Sequence, residues 1–260
     1  MTPSSILVIT EGATEREVGR VLYEAGVLSQ SARVEPADWK STIGSREGYE
    51  QVILALKKRN PIAPRMHSDS VRALLVFDQE DASSPQNRME QIQSELSDDN
   101  FWESLSFQQI NGTDNLFEYK SEQLHIIFHI SNASVNDISN DISNDISRRD
   151  FDGYILQLLQ GPKKKEIASR LIPSCHDIDR LLQKAEREFT DIMNNNGFPW
   201  SHNKSWLYAY ITAFQYRQSH VWFARDVVEA AIHVDREAVR EVFCSLITAW
   251  NRLIGVRHET

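Results

Sequence analysis

Cysteines are scarce in this sequence. Its 260 residues include two, Cys175 and Cys244, which lie far apart without the spacing of metal-binding pairs. A disulfide framework like those of small secreted domains is therefore excluded. No stretch approaches the roughly 20 apolar residues of a membrane span, and residues 1–10 lack the basic start and cleavage site of a signal peptide. We therefore expect a globular protein located in the cytoplasm.

Excess positive charge is also lacking. The net charge is −9, and it is divided unevenly. Residues 1–150 hold 14 Lys and Arg against 24 Asp and Glu, which leaves −10, whereas residues 151–260 hold 14 against 13, which leaves +1. Binding of nucleic acid through a diffuse basic field is not indicated, because that mode needs clustered Lys and Arg. An acidic first part suits a carboxylate site that requires a divalent cation, although solvated helix faces would produce it too.

Two common catalytic loops are missing. The sequence contains neither the G-x-S-x-G turn of serine hydrolases nor the G-x-x-x-x-G-K-[ST] loop that binds ATP. His125 and His129 fall in a strand pattern, where a spacing of four is too long for easy chelation, so we expect ordinary sheet residues. The basic run at residues 163–165 is typical of a solvated helix start, with contact to phosphates as the alternative.

The first half of the sequence alternates between strand and helix patterns. Strands are predicted at residues 5–10, 32–39, 71–77, 107–110 and 124–130, and helices at residues 15–25, 52–59 and 85–96. The run VRALLVF is almost continuously apolar, as expected of a central parallel strand that is covered on both faces. Residues 1–135 are therefore predicted to form an α/β domain with a mostly parallel sheet and flanking helices.

The second half is predicted to be helical after a polar loop. The sequence NDIS occurs three times between Asn136 and Ser147, and we assign residues 136–150 to a surface loop. A calcium loop is the weaker alternative, because the glycine and terminal glutamate of an EF-hand are absent. Helical patterns then cover residues 151–159, 178–193, 205–216 and 224–254. Residues 151–260 are therefore expected to form an all-helical region that packs on the first domain.

Acidic residues directly follow two of the predicted strands. Glu11 comes after the first strand, with Glu15 on the first turn of the next helix, and Asp78 and Glu80 come after the third strand. Ligands collect beyond the carboxyl ends of parallel strands, and oxygen-only ligands favour Mg²⁺ or Mn²⁺. An ordinary first-turn carboxylate is the alternative for Glu15 or Asp81 taken alone. Two acidic clusters at strand ends favour a metal site, because a cation must offset their repulsion.

These motifs resemble those of a known family. The segment ILVITEGATE resembles the first motif of TOPRIM domains, and LLVFDQED resembles the second, over about residues 5–130. The EGATE form is most similar to the OLD-family nucleases (overcoming lysogenization defect) and to small free-standing TOPRIM proteins of phage defence. The sequence departs from the pattern at Glu80, where the family usually has Asp.

The same resemblance implies two site residues in the second half. Asp152, or Asp150 as the second choice, would be a further metal ligand at a helix start, and an N-cap is the alternative. Lys204, which opens a late helix, would neutralise charge on the scissile phosphate, and a surface lysine is the alternative.

The expected function is that of a Mg²⁺-dependent endonuclease or nickase acting on DNA or RNA. The expected catalytic residues are Glu11, Asp78, Glu80 and Lys204, and the expected metal ligands are Glu11, Glu15, Asp78, Glu80 and Asp152. The resemblance implies antiviral defence and, for a chain without an ATP loop of its own, a separately encoded ABC-type ATPase partner. A homo-oligomer stays open. The alternatives are a catalytically silent subunit that binds a partner, or another TOPRIM phosphodiester-transfer enzyme such as a topoisomerase or primase.

Overall fold

A six-stranded sheet forms the centre of the first half of the chain. The computed structural model describes residues 6–31, 39–40, 48–59, 61–67, 70–134, 148–195 and 202–255. The strands are β1 (Ile6–Thr10), β2 (Trp39–Lys40), β3 (Val71–Asp78), β4 (Gln108–Gln109), β5 (Leu116–Lys120) and β6 (Leu124–Ser131). They lie in the order β2-β1-β3-β6-β5-β4. Strands β2, β1, β3 and β6 pair in parallel, β5 pairs antiparallel with β6, and β4 pairs antiparallel with β5. The prediction of a mostly parallel α/β fold is confirmed.

The central strand β3 explains the long apolar run in the sequence. It pairs with β1 from Arg72 to Val76 and with β6 along its whole length, so that both its edges are hydrogen-bonded. Its residues from Ala73 to Phe77 are buried. A strand with neighbours on both edges and cover on both faces has no reason to alternate polar and apolar residues. The apolar run therefore marks the middle of the sheet.

The chain divides into two units. The first unit comprises Met1–Ser131 and Cys244–Thr260, and the second comprises Asn132–Phe243. Helices α1 (Ala13–Glu24), α2 (Tyr49–Arg59), α3 (Pro85–Leu96) and α4 (Asn100–Glu103) belong to the first unit. The second unit contains α5 (Asp152–Gln160), α6 (Lys164–Leu171), α7 (Ile178–Gln183), α8 (Phe189–Asn195), α9 (Asn203–Ala213), α10 (His220–Val234) and α11 (Arg236–Val242), and the last helix, α12 (Cys244–Ile254), returns to the first unit.

This division corrects the predicted domain boundaries, which assigned all of residues 151–260 to the helical region. Helix α12 buries Leu246, Ala249, Trp250 and Leu253, and it packs on strands β3 and β6. The indole nitrogen of Trp250 donates a hydrogen bond to the carbonyl of Ser29 at 2.9 Å. The helical pattern predicted over residues 224–254 is divided into three helices, because Asp235 and Phe243 interrupt it. The side chain of Asp235 caps α11 by accepting from the backbone N–H of Ala238.

Two predicted features lie outside the described residues. One is the NDIS repeat at residues 136–147, and the other is most of the weak strand predicted at residues 32–39. In the part of the chain that the structure describes, no helix has both the length and the apolar character needed to cross a membrane.

Candidate functional site

Two acidic residues meet where the neighbouring strands β1 and β3 end. The backbone N–H of Glu11 continues the pairing of the two strands by donating to the carbonyl of Val76 at 3.0 Å. The Glu11 carboxylate then turns towards the end of β3, and its Oε2 accepts a hydrogen bond from the backbone N–H of Asp78 at 3.2 Å. Glu11 is 6% exposed. The parallel pairing of β1 with β3 therefore brings together the two motifs, which are far apart in the sequence.

Three carboxylates form a cluster at this edge of the sheet. One oxygen from each of Glu11, Asp78 and Glu80 lies within 4.8 Å of the other two. Ligand oxygens on opposite sides of an octahedral Mg²⁺ ion are about 4.2 Å apart, given Mg–O distances of about 2.1 Å. Of three such oxygens at most one pair can be opposite, and adjacent ones are about 3.0 Å apart, so the side chains need to close by up to about 2 Å to share one ion. Three carboxylates fit a hard divalent cation by size and by chemistry.

The backbone at Glu80 has an uncommon conformation. Its φ angle is 57°, in the left-handed region, where side chains longer than those of Asn and Asp are seldom found. The turn follows directly after the end of β3, and Oε2 of Glu80 is shielded from solvent. A strained residue of this kind persists only where its surroundings hold it, and such residues gather at functional sites. The turn thus sets the position of the Glu80 carboxylate in the cluster with Glu11 and Asp78.

Glu15 lies beside the cluster but is not one of the three. It occupies the first turn of α1 and is 5% exposed. Its Oε2 lies 2.6 Å from the position that a Cβ on Gly12 would take. Glycine at this position therefore lets the Glu15 carboxylate fold back against the loop that follows Glu11. The structure brings three of the four expected first-unit ligands together and leaves the ligand role of Glu15 a prediction.

Sequence reasoning missed Arg88, which is buried next to the cluster. Its Nε donates to the carbonyl of Asp78 at 2.9 Å, and its guanidinium lies 3.9 Å from Oε2 of Glu11. The guanidinium also stacks over the ring of Tyr49, 4.0 Å from the ring centroid. The signal was present in the sequence, because Arg88 stands on the apolar stripe of α3 together with Met89 and Ile92. A buried cation there offsets part of the negative charge of the cluster and orients the end of β3.

The other two predicted site residues lie together in the second unit. Asp150 accepts hydrogen bonds from the side-chain amide of Asn203 at 2.8 Å and from the backbone N–H of Gly153 at 3.2 Å. Burial is the largest influence on both Asp150 and Asp152 and raises the pKa of each carboxyl, and the charge of Lys204 opposes that rise. Asp150 thus satisfies a backbone N–H in the first turn of α5. Asp152 is the first residue of that helix, and the positive charge of Lys204 acts on both carboxyls.

Comparison with known proteins adds the fold alone. No family model matches the sequence, and no curated protein matches it either. Among solved structures, the chain is similar to the crystal structure of a hypothetical protein, PH0156, from Pyrococcus horikoshii OT3. The TM-score is 0.59 at 15% sequence identity, and the similarity covers 97% of this chain and 100% of that one. The two chains therefore share an architecture over nearly their whole length.

Other residues considered from the sequence have structural partners. His125 pairs with Glu118 at 2.7 Å, and Nε2 of His129 lies 2.8 Å from the hydroxyl of Ser245, as expected of ordinary sheet residues. The basic run at residues 163–165 pairs with carboxylates of the second unit, namely Glu166, Glu186 and Asp179. These ion pairs are typical of a solvated helix start.

Proposed function

We propose that the chain is a divalent-cation-dependent phosphodiesterase that cleaves nucleic acid as an endonuclease or nickase. The observation that carries the proposal is the cluster of Glu11, Asp78 and Glu80 at the carboxyl ends of two parallel strands. Carboxylates held this close repel one another unless a cation joins them. Oxygen-only ligands select Mg²⁺ or Mn²⁺ over softer metals.

Each residue of the site has a separate task in this proposal. A bound Mg²⁺ would supply a Lewis acid for a phosphate oxygen and lower the pKa of a coordinated water. Glu11, Asp78 and Glu80 would hold the ion, and the short link from Glu11 to the backbone of Asp78 fixes the spacing of two of them. Arg88 would keep the end of β3 in place through its bond to the Asp78 carbonyl. Orientation of ligands in this way raises metal affinity.

The finer assignment rests on the motif resemblance. We propose that the domain is of the TOPRIM type, and that it serves in phage defence beside a separately encoded ATPase in the cytoplasm. A ligand role for Glu15 and Asp152, and neutralisation of phosphate charge by Lys204, belong to the same proposal. Glu80 keeps the charge of the usual Asp and lengthens its reach by one methylene.

The proposal is tested by cleavage of plasmid DNA and of RNA in the presence of Mg²⁺ or Mn²⁺. Glu11→Ala and Asp78→Ala should each abolish cleavage. In EDTA, Asp78→Ala should leave the thermal unfolding temperature nearly unchanged, whereas Glu11→Ala should lower it, because it removes the acceptor of the Asp78 N–H and the carboxylate beside Arg88. At Asp78, loss of one of several mutually repelling carboxylates costs the metal-free fold little. Asp81→Ala is the matched control, because Asp81 is exposed, directly follows Glu80 and is not part of the cluster.

Cleavage that persists in Glu11→Ala or Asp78→Ala would rule out this site. Calorimetry separates the remaining alternative, a silent subunit that binds a partner. That subunit would neither bind Mg²⁺ nor cleave either substrate, and this result would contradict the enzymatic proposal.

A further inference from the structure

The last residue of β6 places a hydroxyl group next to the carboxylate cluster. Ser131 ends β6 and pairs in register with Asp78, the last residue of β3. The two strands are parallel, so residues paired in register direct their side chains to the same face of the sheet. Neighbouring strands lie roughly 4.8 Å apart. The side chains of Ser131 and Asp78 are therefore immediate neighbours on one face.

Backbone hydrogen bonding holds these two residues in place. The backbone N–H of Gln79, the residue between Asp78 and Glu80, donates to the carbonyl of Ser131 at 2.9 Å. The pairing of β3 with β6 therefore continues to the last residue of both strands. Because the main chains are fixed on this edge of the sheet, only rotation about side-chain bonds changes the distance from the Ser131 hydroxyl to the Asp78 carboxylate.

The hydroxyl of Ser131 contributes no hydrogen bond to the fold. Ser131 is fully buried, and its Oγ makes no hydrogen bond to any residue that the structure describes. The hydroxyl of Thr10, at the end of β1, differs in this respect, because it donates to the carbonyl of Gly12 at 2.8 Å. A buried hydroxyl without a partner loses its hydration and gains nothing in return. Alanine would fill the position of Ser131 without that cost, so packing does not explain the serine.

Asp78 supplies an acceptor for this hydroxyl. One carboxylate oxygen of Asp78 lies in the cluster with Glu11 and Glu80, and a carboxylate has a second oxygen that can accept a hydrogen bond. A hydrogen bond from a hydroxyl to a carboxylate is about 2.5–2.7 Å long, which two adjacent side chains on neighbouring strands can reach. Carboxylates that bind a metal are themselves held by hydrogen bonds from neighbouring groups.

We propose that Ser131 is a positioning residue of the carboxylate site, and that its hydroxyl donates to the Asp78 carboxylate when a divalent cation is bound. The cation holds one oxygen of Asp78, and Ser131 holds the other. The inference rests on the metal site of the proposed function and adds a residue that acts through Asp78. Since the hydroxyl stabilises the cation-bound form alone, its removal should weaken metal binding and, without metal, stabilise the fold.

The test measures Mg²⁺ affinity by calorimetry and thermal unfolding in EDTA, both with the full chain. Ser131→Ala should weaken Mg²⁺ binding by about 10- to 100-fold, the usual effect of losing a group that orients a metal ligand. In EDTA the same variant should unfold about 2–4 °C higher than the wild type, because a buried hydroxyl without a partner is gone. Ser131→Cys, whose thiol is a weaker donor of similar shape, should bind Mg²⁺ with intermediate affinity.

Ser121→Ala is the matched control. Ser121 lies before the other end of β6, and its hydroxyl accepts a hydrogen bond from the backbone N–H of Leu124 at 3.1 Å. Ser121→Ala should keep the Mg²⁺ affinity of the wild type and should unfold at a lower temperature in EDTA. The two serine variants therefore differ in the sign of one effect and in the presence of the other.

Wild-type Mg²⁺ affinity in Ser131→Ala would overturn the inference and leave the carboxylate site standing. A lower unfolding temperature of Ser131→Ala in EDTA would also overturn it, because the hydroxyl would then serve the fold itself. A wild-type protein that binds no Mg²⁺ would reject the metal site and this inference together. Mg²⁺ binding that Ser131→Ala weakens as expected, in a protein that cleaves neither DNA nor RNA, would support the inference and contradict the proposed enzyme.

Discussion

Glu80 is held in a left-handed backbone conformation that costs free energy, directly after the strand that ends in Asp78. A left-handed conformation costs most residues about 1–2 kcal/mol, whereas Asn adopts it readily. Glu80→Asn should therefore increase the free energy of unfolding in EDTA by about 1 kcal/mol, and it should remove most of the stabilisation that Mg²⁺ gives. Urea unfolding with and without Mg²⁺ measures both effects.

Gln215 provides the matched control, because it is the other described residue besides glycine with a φ in this region, at 52°. Gln215→Asn should gain a similar amount of stability in EDTA and keep the full response to Mg²⁺. An Mg²⁺ response in Glu80→Asn as large as in the wild type would show that this carboxylate does not hold the cation.

Single residues differ in how far the sequence alone could predict them. Glu11 and Asp78 could be predicted, because each directly follows an apolar strand pattern and parallel strands present their carboxyl ends at one edge. The burial of Arg88 could be predicted from its place on the apolar stripe of α3, but its contacts with Glu11 and Asp78 could not, since they join residues far apart in the sequence. The left-handed turn at Glu80 has no sequence signal either, because Glu is not a residue that favours it.

At the scale of elements, a buried polar contact ties the last helix to the sheet. His129 on β6 is fully buried, its Nε2 lies 2.8 Å from the hydroxyl of Ser245 on α12, and Asn115 donates to the same hydroxyl at 3.3 Å. Burial lowers the pKa of His129 to about 3. The histidine is therefore neutral in the folded protein throughout the physiological range.

This burial makes stability depend on pH with a definite sign. An unfolded chain takes up a proton on His129 below about pH 6.5, whereas the folded protein does so only near pH 3. The contribution of His129 to the free energy of unfolding is therefore fully present above pH 6.5, and it is lost progressively as the pH falls towards 3. Between pH 7 and pH 5, the wild type should lose about 2 kcal/mol more stability than His129→Gln, as measured by urea unfolding.

The exposed His233 serves as the control for this comparison. His233→Gln should follow the pH dependence of the wild type. If His129→Gln loses as much stability as the wild type between the two pH values, the histidine is not held neutral by burial.

Elements with a strong local pattern were predictable, and elements defined by distant contacts were not. Helix α3 has the predicted bounds, because Ser84 caps its start, accepting from the backbone N–H of Asn87, and Pro85 suits the first position. Strand β5 was missed, since it lies near the sheet edge and its burial fades from Leu116 to Lys120. The return of α12 to the first unit depends on packing against β3 and β6, which no local pattern encodes.

At the scale of the whole molecule, the acid-rich part of the chain includes most of the first unit. The first 150 residues carry the excess of acid, and the sheet whose edge gathers three carboxylates lies within them. The chain leaves the first unit after Ser131 and returns at Cys244. The charge asymmetry was apparent in the sequence. The order of the strands, which makes β1 the neighbour of β3 and so creates the site, required the structure.

The most direct test of the carboxylate site is a crystal structure of the protein grown with Mn²⁺, with the ion located by its anomalous scattering. We expect a single strong peak bound by oxygens of Glu11, Asp78 and Glu80 at about 2.2 Å, with Arg88 still bonded to the Asp78 carbonyl. The peak should be absent from Asp78→Asn crystals and present in Asp81→Asn crystals. No peak among the three carboxylates at saturating Mn²⁺, or a peak that persists in Asp78→Asn, would contradict the account.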